Sequence, residues 1–267
     1  MLTLLQRALP LLPLTIAMTL ISMPSHADDA RLTAKQSDPQ TLGWMQGFPP
    51  PQDKLIAQPS SDFFSFPKLR WTVCHIRELM PTTDVSRGIG APSTLNYELD
   101  KNIDALTFMP TNSKRPMTWR QSLDANYTDG IMVMHHGKVV YERQNGCLNK
   151  LGKHAAMSMT KSMTGLLAEI LVTEGKLDDK ALVASIIPEL KNSGFGDATV
   201  RQVMDMTTAL DYSEDYADPN ADIWQYSEAA SPLPKPKGYS GPNGYFEYLQ
   251  TVKKKGQHGA EFNYRTI

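Results

Sequence analysis

The chain has 267 residues, 41% of them hydrophobic and 21% charged, with a formal net charge of −1. This profile belongs to a folded chain and excludes collagen-like, coiled-coil and wholly disordered classes. A charge so close to zero argues against nucleic-acid binding, which needs a clear excess of Lys and Arg. Two cysteines are too few for a disulfide-rich scaffold or a complete structural zinc site.

Residues 1–27 have the layout of a secretory signal peptide. Arg7 precedes an uncharged apolar run from Ala8 to Met23, and Ser25-His26-Ala27 supplies small residues before Asp28. A membrane anchor is the competing reading, but the run is short for a bilayer and is interrupted by Pro10 and Pro13. The expectation is cleavage after Ala27 and a secreted or periplasmic protein with no membrane association afterwards. In such a compartment Cys74 and Cys147 are permitted to pair; two buried free thiols fit the sequence equally well, since spacing carries no geometry.

Residues 28–70 are rich in Pro, Gln, Asp and Ser, with Pro49-Pro50-Pro51 at the centre. They read as an extended arm that buries little. Residues 71–116 show no clear period. Thr118 then predicts a cap for a short helix through Leu123. Gly130–His135, the turn pair His136-Gly137 and Lys138–Glu142 predict a β-hairpin. Its first strand is apolar at successive positions, so both faces are expected to be covered. Ser158 to Glu174 predicts a helix with Met159, Met163, Leu166, Leu167, Ile170 and Leu171 on one face and Gly175 as its stop. Met157, Met159 and Met163 are read as core packing. Shorter helical patterns follow at Ala181–Ile187 and Val200–Met206, and residues 231–238 read as a loop. No internal repeat is present. Strand, strand and helix followed by a mainly helical stretch (about 176–258) predict an α/β (α+β) domain with a helical insertion.

Ser158-Met159-Thr160-Lys161 has the form Ser-x-x-Lys at the start of the long helix. A spacing of three places both side chains on one face. A serine hydroxyl needs a nearby base to become a nucleophile, and a lysine serves as one when its surroundings depress its pKa. Backbone N–H groups at a helix start suit a developing oxyanion. The competing reading is a capping serine and a solvated lysine. A second copy, Ser65-Phe66-Pro67-Lys68, contains a proline that disfavours helix at Phe66. His135-His136 are adjacent on a strand and so expected on opposite faces, while His75, His154 and His258 lack metal-ligand spacing. The acidic residues Asp211, Glu214, Asp215, Asp218 and Asp222 read as an exposed loop without the glycine and terminal glutamate of an EF-hand. No dinucleotide fingerprint or P-loop occurs; no metal or organic cofactor is implied.

The hairpin GIMVMHHGKVVYE followed by SMTKSMTG resembles the serine β-lactamase and penicillin-binding-protein superfamily, in particular its class C-like hydrolases. The segments WTVCHIRELMPT (71–82), SMTKSMTGLLAEILVTEGKLD and MTTALDYSEDYAD (206–218) resemble the 6-aminohexanoate-dimer hydrolase branch, and the likeness extends over about residues 65–267. It implies an antiparallel sheet flanked by helices with a helical inserted region. It also implies a second motif, Tyr-x-Asn, whose counterpart lies in Gly259-Ala-Glu-Phe-Asn-Tyr-Arg-Thr. That makes Tyr264 the tyrosine and leaves Thr266 where asparagine is usual. A phenol near a lysine ammonium can relay protons; threonine lacks the amide's paired donor and acceptor.

Members of this superfamily continue past the tyrosine into further strands that bear a Lys-Thr-Gly or His-Thr-Gly motif, which this sequence lacks. The resemblance therefore implies an incomplete domain at 71–267, with C-terminal strands absent and a bare sheet edge. The implied activity is cleavage of a small-molecule amide or ester through an acyl-enzyme, with Ser158, Lys161 and Tyr264 as catalytic residues. The alternatives are an inactive remnant or binding protein on the same scaffold, and a β-lactamase or D-Ala carboxypeptidase/esterase with the same chemistry.

Overall fold

The computed structural model describes residues 31–57, 62–111, 113–231, 235 and 237–267. The expected signal peptide at 1–27 lies outside the described residues, as do residues 232–234 and 236 of the expected loop.

The segment after residue 31 is more than an arm. Asp38 accepts from the N–H groups of Gln40 and Thr41 and, with Pro39, starts α1 (Pro39–Leu42); Gly43, at φ 71°, ends it. Farther on, Ile56 and Phe63 turn inward against Trp71 and Leu79, with Trp44, Met45 and Met80 packed beside them. The expectation that this stretch buries little is corrected by that small core. Its apolar residues are spaced too irregularly to signal any period, yet short turns bring them together. Trp71 lies in α2 (Leu69–Thr72) and Leu79 in α3 (Ile76–Leu79).

Arg70 is the centre of the seam between this segment and the rest. Its Nη1 donates to Ser37 Oγ at 3.0 Å and its Nη2 to Asp129 Oδ1 at 2.8 Å, with both ionic side chains 8% exposed. Gly146 passes so close that a Cβ there would stand 2.3 Å from Asp129 Oδ1. Cys74 and Cys147 form a disulfide across the same seam, with Cα atoms 6.0 Å apart. This decides between the two readings of the cysteines in favour of the pair.

Three short strands, β1 (Asn96–Tyr97), β2 (Thr107–Phe108) and β3 (Met117–Thr118), lead to α4 (Trp119–Ala125). Thr118 caps α4 in a reciprocal capping box with Gln121, as its sequence position predicts. The hairpin follows as β4 (Gly130–His135) and β5 (Lys138–Gln144). Positive φ at both His136 and Gly137 gives the turn whose twist suits paired strands. That turn also corrects the expectation for His135 and His136. His136 has left the strand, and the two rings lie 3.9 Å apart rather than on opposite faces. β2 pairs with β3, and the larger sheet has the order β1-β5-β4, with β1 parallel to β5 and β4 antiparallel to it.

Val139 and Tyr141 of the central β5 are buried, but Met132 and Met134 of β4 are 46% and 49% exposed. The expectation of two covered faces on β4 therefore fails. Ile131 and Val133 are half-buried, while the face with Met132 and Met134 is left open among the described residues. α5 (Thr160–Thr173) repeats the pattern. It buries no residue, and Met157, Met159 and Met163 are 54%, 71% and 65% exposed, so the core-packing reading of these methionines is corrected too. The helix ends as predicted, at Gly175 with φ 69°.

The principal core lies in the helical region, built from α6 (Val183–Ile186), α7 (Val200–Met204), β6 (Leu210–Asp211), α8 (Asp222–Ala229), α9 (Tyr245–Thr251) and β7 (Lys253–Lys254). Val183, Leu190, Phe195, Ala198, Leu210, Tyr212, Ile223, Tyr248 and Val252 fill it. Tyr212 meets Tyr226 and Tyr248 edge-on at 6.5 Å, the favoured aromatic geometry. β6 and β7 pair antiparallel, and buried His258 extends the join. Its Nδ1 accepts from Ala209 N–H at 2.9 Å, so its proton resides on Nε2, which faces Asp197 Oδ1 at 3.1 Å. Lys254 also pairs with Asp197. Hydrogen bonding to Lys254, then to His258, holds that carboxyl below its ordinary pKa.

Asp129→Ala is expected to cost about 3–5 kcal/mol, because it strands a buried guanidinium. Lys153→Ala, at an exposed pair with Asp84, is expected to leave stability close to the parental value. Urea denaturation of both variants checks the contrast. In the same assay His258→Ala is expected to lose about 1–3 kcal/mol, since Ala209 N–H is left without its acceptor.

Candidate active site

Ser158 sits on a single 3₁₀ turn, Met157–Met159, that runs directly into α5, and Lys161 is in the first turn of α5. The helix thus begins two residues later than the sequence pattern suggests. Met157 holds φ 46°, a left-handed conformation that costs a β-carbon-bearing residue roughly 1–2 kcal/mol. It bends the chain out of the preceding loop, and Met159 N–H closes the turn onto Ala156 O at 3.0 Å. Neither the 3₁₀ turn nor α5 has a side-chain cap. The capping reading of Ser158 therefore fails: its Oγ instead accepts from Lys161 Nζ at 3.2 Å.

Tyr264 arrives from the loop after β7. Gly259 N–H donates to Thr207 O at 2.8 Å and Asn263 N–H to Met206 O at 2.8 Å, which lays the loop along the turn that precedes β6. The phenol ring then stands with its centroid 5.4 Å from Lys161 Nζ. Hydrogen bonding to Ser158 is the main influence holding the Tyr264 phenol below its ordinary pKa. Burial opposes this shift, and the hydrogen bond and charge of Lys161 reinforce it. The three residues singled out from the sequence are therefore brought together. Ser158 and Tyr264 are exposed and Lys161 is half-buried. In the second Ser-x-x-Lys copy, Lys68 turns instead to Asp62, at 2.5 Å.

Thr266 faces away from Lys161. Its N–H donates to Glu214 Oε2 at 2.7 Å, and its hydroxyl bonds Glu214 Oε1. Glu214 also accepts from the Tyr216 hydroxyl at 2.8 Å. Glu214 was expected to be one of several solvated acids, and this engagement corrects that reading for it. The only hint in the sequence is that it lies in the 206–218 segment that carries the family resemblance.

A cleft of about 310 Å³ runs beside Lys161 along Thr164, Gly165 and Ala168, with Phe195, Met206 and Arg265 opposite. A larger cavity of about 620 Å³, between the N-terminal segment and α4, includes none of the three residues. Cys74, Cys147 and His154 bring potential metal-ligand atoms within 4.8 Å of one another. Their sulfurs are joined to each other, which leaves the imidazole beside Asp129 Oδ2 at 3.1 Å, too few donors for a tetrahedral site.

The chain is 31% identical over 198 residues to a 6-aminohexanoate-dimer hydrolase of Paenarthrobacter ureafaciens, a match covering 74% of this chain and 47% of that protein. A solved structure from Bacillus anthracis, provisionally named a 6-aminohexanoate-dimer hydrolase, superposes with a TM-score of 0.67 at 30% identity. That match covers 78% of this chain and 55% of the other. The chain thus spans about half the length of these relatives. The Beta-lactamase family model matches residues 122–267, which include the hairpin, α5 and the Tyr264 loop. The protein accordingly belongs to the Beta-lactamase family, within the serine β-lactamase-like superfamily.

Proposed function

We propose that the protein is an exported serine hydrolase that cleaves a small linear amide, of the kind named for its 6-aminohexanoate-dimer hydrolase relatives, or an ester, through an acyl-enzyme. The observation that carries the reading is the 3.2 Å contact between Lys161 Nζ and Ser158 Oγ at the head of α5, with Tyr264 over the same ammonium. In this reading residues 1–27 are the export signal, 28–70 an N-terminal arm, and 71–267 belong to the hydrolase domain.

Lys161 Nζ takes the Ser158 proton as Oγ attacks the substrate carbonyl. The negative charge that develops on the carbonyl oxygen is met by the Ser158 backbone N–H. Tyr264, polarised by Lys161, passes a proton to the departing amine. Its phenolate then takes a proton from the water that attacks the ester of Ser158; the acyl–Oγ bond breaks, Lys161 returns its proton to Oγ, and the acid product leaves. Lysine and tyrosine are thus both restored, and no cofactor enters.

A second reading is favoured by the exposure of Ser158 and Tyr264 and by the bare apolar face of α5. Water at the site weakens every electrostatic interaction the chemistry uses. In that reading the chain binds the substrate without turning it over.

A fluorophosphonate probe and hydrolysis of the 6-aminohexanoate dimer and of a p-nitrophenyl ester separate the two. Probe labelling confined to Ser158, with turnover lost in Ser158→Ala, reduced about 10³-fold in Lys161→Ala and about 10²–10⁴-fold in Tyr264→Phe, is the expected result. Substrate binding by a parent chain that neither labels nor turns over establishes the second reading. Hydrolysis by Ser158→Ala at the parental rate removes the first.

A further inference from the structure

We infer that Glu214 is a positioning residue for Tyr264: its carboxylate clamps Thr266, two residues beyond the phenol, and thereby holds the ring over Lys161. The inference rests on the catalytic reading of Ser158, Lys161 and Tyr264 given above.

Both oxygens of Glu214 are engaged. Oε2 accepts the Thr266 backbone N–H at 2.7 Å, while Oε1 accepts the Thr266 hydroxyl and, at 2.8 Å, the Tyr216 hydroxyl. Tyr216 OH also lies 3.4 Å from Thr266 Oγ1, so carboxylate, phenol and threonine close a ring of polar contacts. Trp224 braces Tyr216 edge-on at 5.8 Å, and its own Nε1 donates to Asp218 O at 2.9 Å. The clamp is therefore tied to α8 and to the core of the helical region, while the residue it grips belongs to the loop that carries Tyr264. On the other side of Tyr264, Asn263 N–H is fixed to Met206 O. The phenol thus hangs between two anchors, and swinging it away from Lys161 means releasing at least one. Charge-assisted bonds to a carboxylate are the stronger kind, which makes Glu214 the firmer anchor.

The groups facing Tyr264 are Ser158 and Lys161 from the head of α5, Glu214 and Tyr216 from the turn after β6, and Arg265, whose guanidinium reaches the Tyr264 carbonyl at 3.4 Å. Among them Glu214 opposes Lys161: its negative charge raises the Tyr264 pKa that Ser158 and Lys161 lower. Removing the charge while keeping the side-chain shape should therefore let Tyr264 ionise at lower pH.

The experiment uses the full chain, its Glu214→Gln and Thr266→Val variants, and tyrosine labelled with ¹³C at Cζ. The Tyr264 resonance is assigned by its loss in Tyr264→Phe, and kcat and KM are measured alongside. For Glu214→Gln the expected result is a Tyr264 titration shifted downward. Its kcat should fall about 10–100-fold with KM changed less than about twofold. Thr266→Val keeps the anion, so it should lower kcat with little movement of the titration. A Tyr264 titration and kcat that stay at parental values in Glu214→Gln overturn the inference. If Glu214→Gln does not fold, an unchanged kcat and Tyr264 resonance in Thr266→Val overturn it instead. The Tyr264 resonance in Thr266→Val, which keeps the anion, is read without turnover, so it reports on the clamp even where the parent fails to label at Ser158, a result that defeats the catalytic reading alone.

Discussion

The site depends on one constraint, that a loop at residues 255–266 must be returned to the head of a helix far earlier in the chain. Closing so long an excursion costs entropy that grows only slowly with length, and the molecule offsets it at several points of attachment. β6 and β7 pair through Leu210 with Lys254 and Asp211 with Lys253. Lys255 N–H continues the join to Ala209 O at 3.0 Å, and His258 closes it by accepting from Ala209 N–H. After this the loop is fixed to the 206–216 turn by Gly259 N–H on Thr207 O and Asn263 N–H on Met206 O, and then by Glu214 on Thr266. The imidazole works here as a neutral two-sided connector, accepting at one nitrogen and facing a carboxylate with the other.

The opposite partner, α5, is held by a different kind of force. It buries no side chain, so apolar packing contributes little to its placement. Polar links join it to the helical region. Arg201 of α7 reaches Glu169 of α5 at 2.6 Å and Asp179 of the following turn at 2.8 Å. The Arg201 hydrogen bond is the main reason the Glu169 carboxyl lies below its ordinary pKa. Exposed pairs of this kind are individually weak and are screened by salt. The tyrosine side of the site is therefore anchored to a core, whereas the serine side is tethered by surface charge. The N-terminal seam, with its buried Arg70–Asp129 pair and disulfide, stabilises the start of β4 and is joined to the loop before α5 by Ala155 N–H donating to Val73 O at 2.7 Å.

What the sequence made legible follows from how local each signal is. The hairpin was readable because His136-Gly137 is a turn pair between two strand-like runs, and α4 because Thr118 and Gln121 stand at capping-box spacing. Ser158 and Lys161 were readable for the same reason, since a spacing of three is a property of one helical turn. Tyr264 carried no such local mark and was found through family resemblance alone. Glu214 was missed because its partner Thr266 is remote and because acidic residues around it look alike in sequence. The methionines were misread because amphipathic spacing reports which face of a helix is apolar, without reporting whether anything lies against that face. The parallel pairing of β1 with β5 had no detectable signal, as a two-residue strand is too short to show a period.

The same distinction between local and remote contacts sets how the three groups respond to loosening of the fold. Serine and lysine share one turn, so their 3.2 Å contact persists wherever the start of α5 remains helical. Tyr264 reaches them only while β6, β7, the His258 bridge and the Glu214 clamp are all in place. Local opening in proteins proceeds through contiguous units of unequal stability, and a loop held mainly by hydrogen bonds opens before the core of Phe195, Leu210 and Tyr248 beneath it. The contact between Ser158 and Lys161 therefore outlasts that with Tyr264 as the molecule loosens. In the proposed mechanism, attack by Ser158 draws on the local pair and is less sensitive to such opening than proton delivery to the leaving group and activation of water, which need all three.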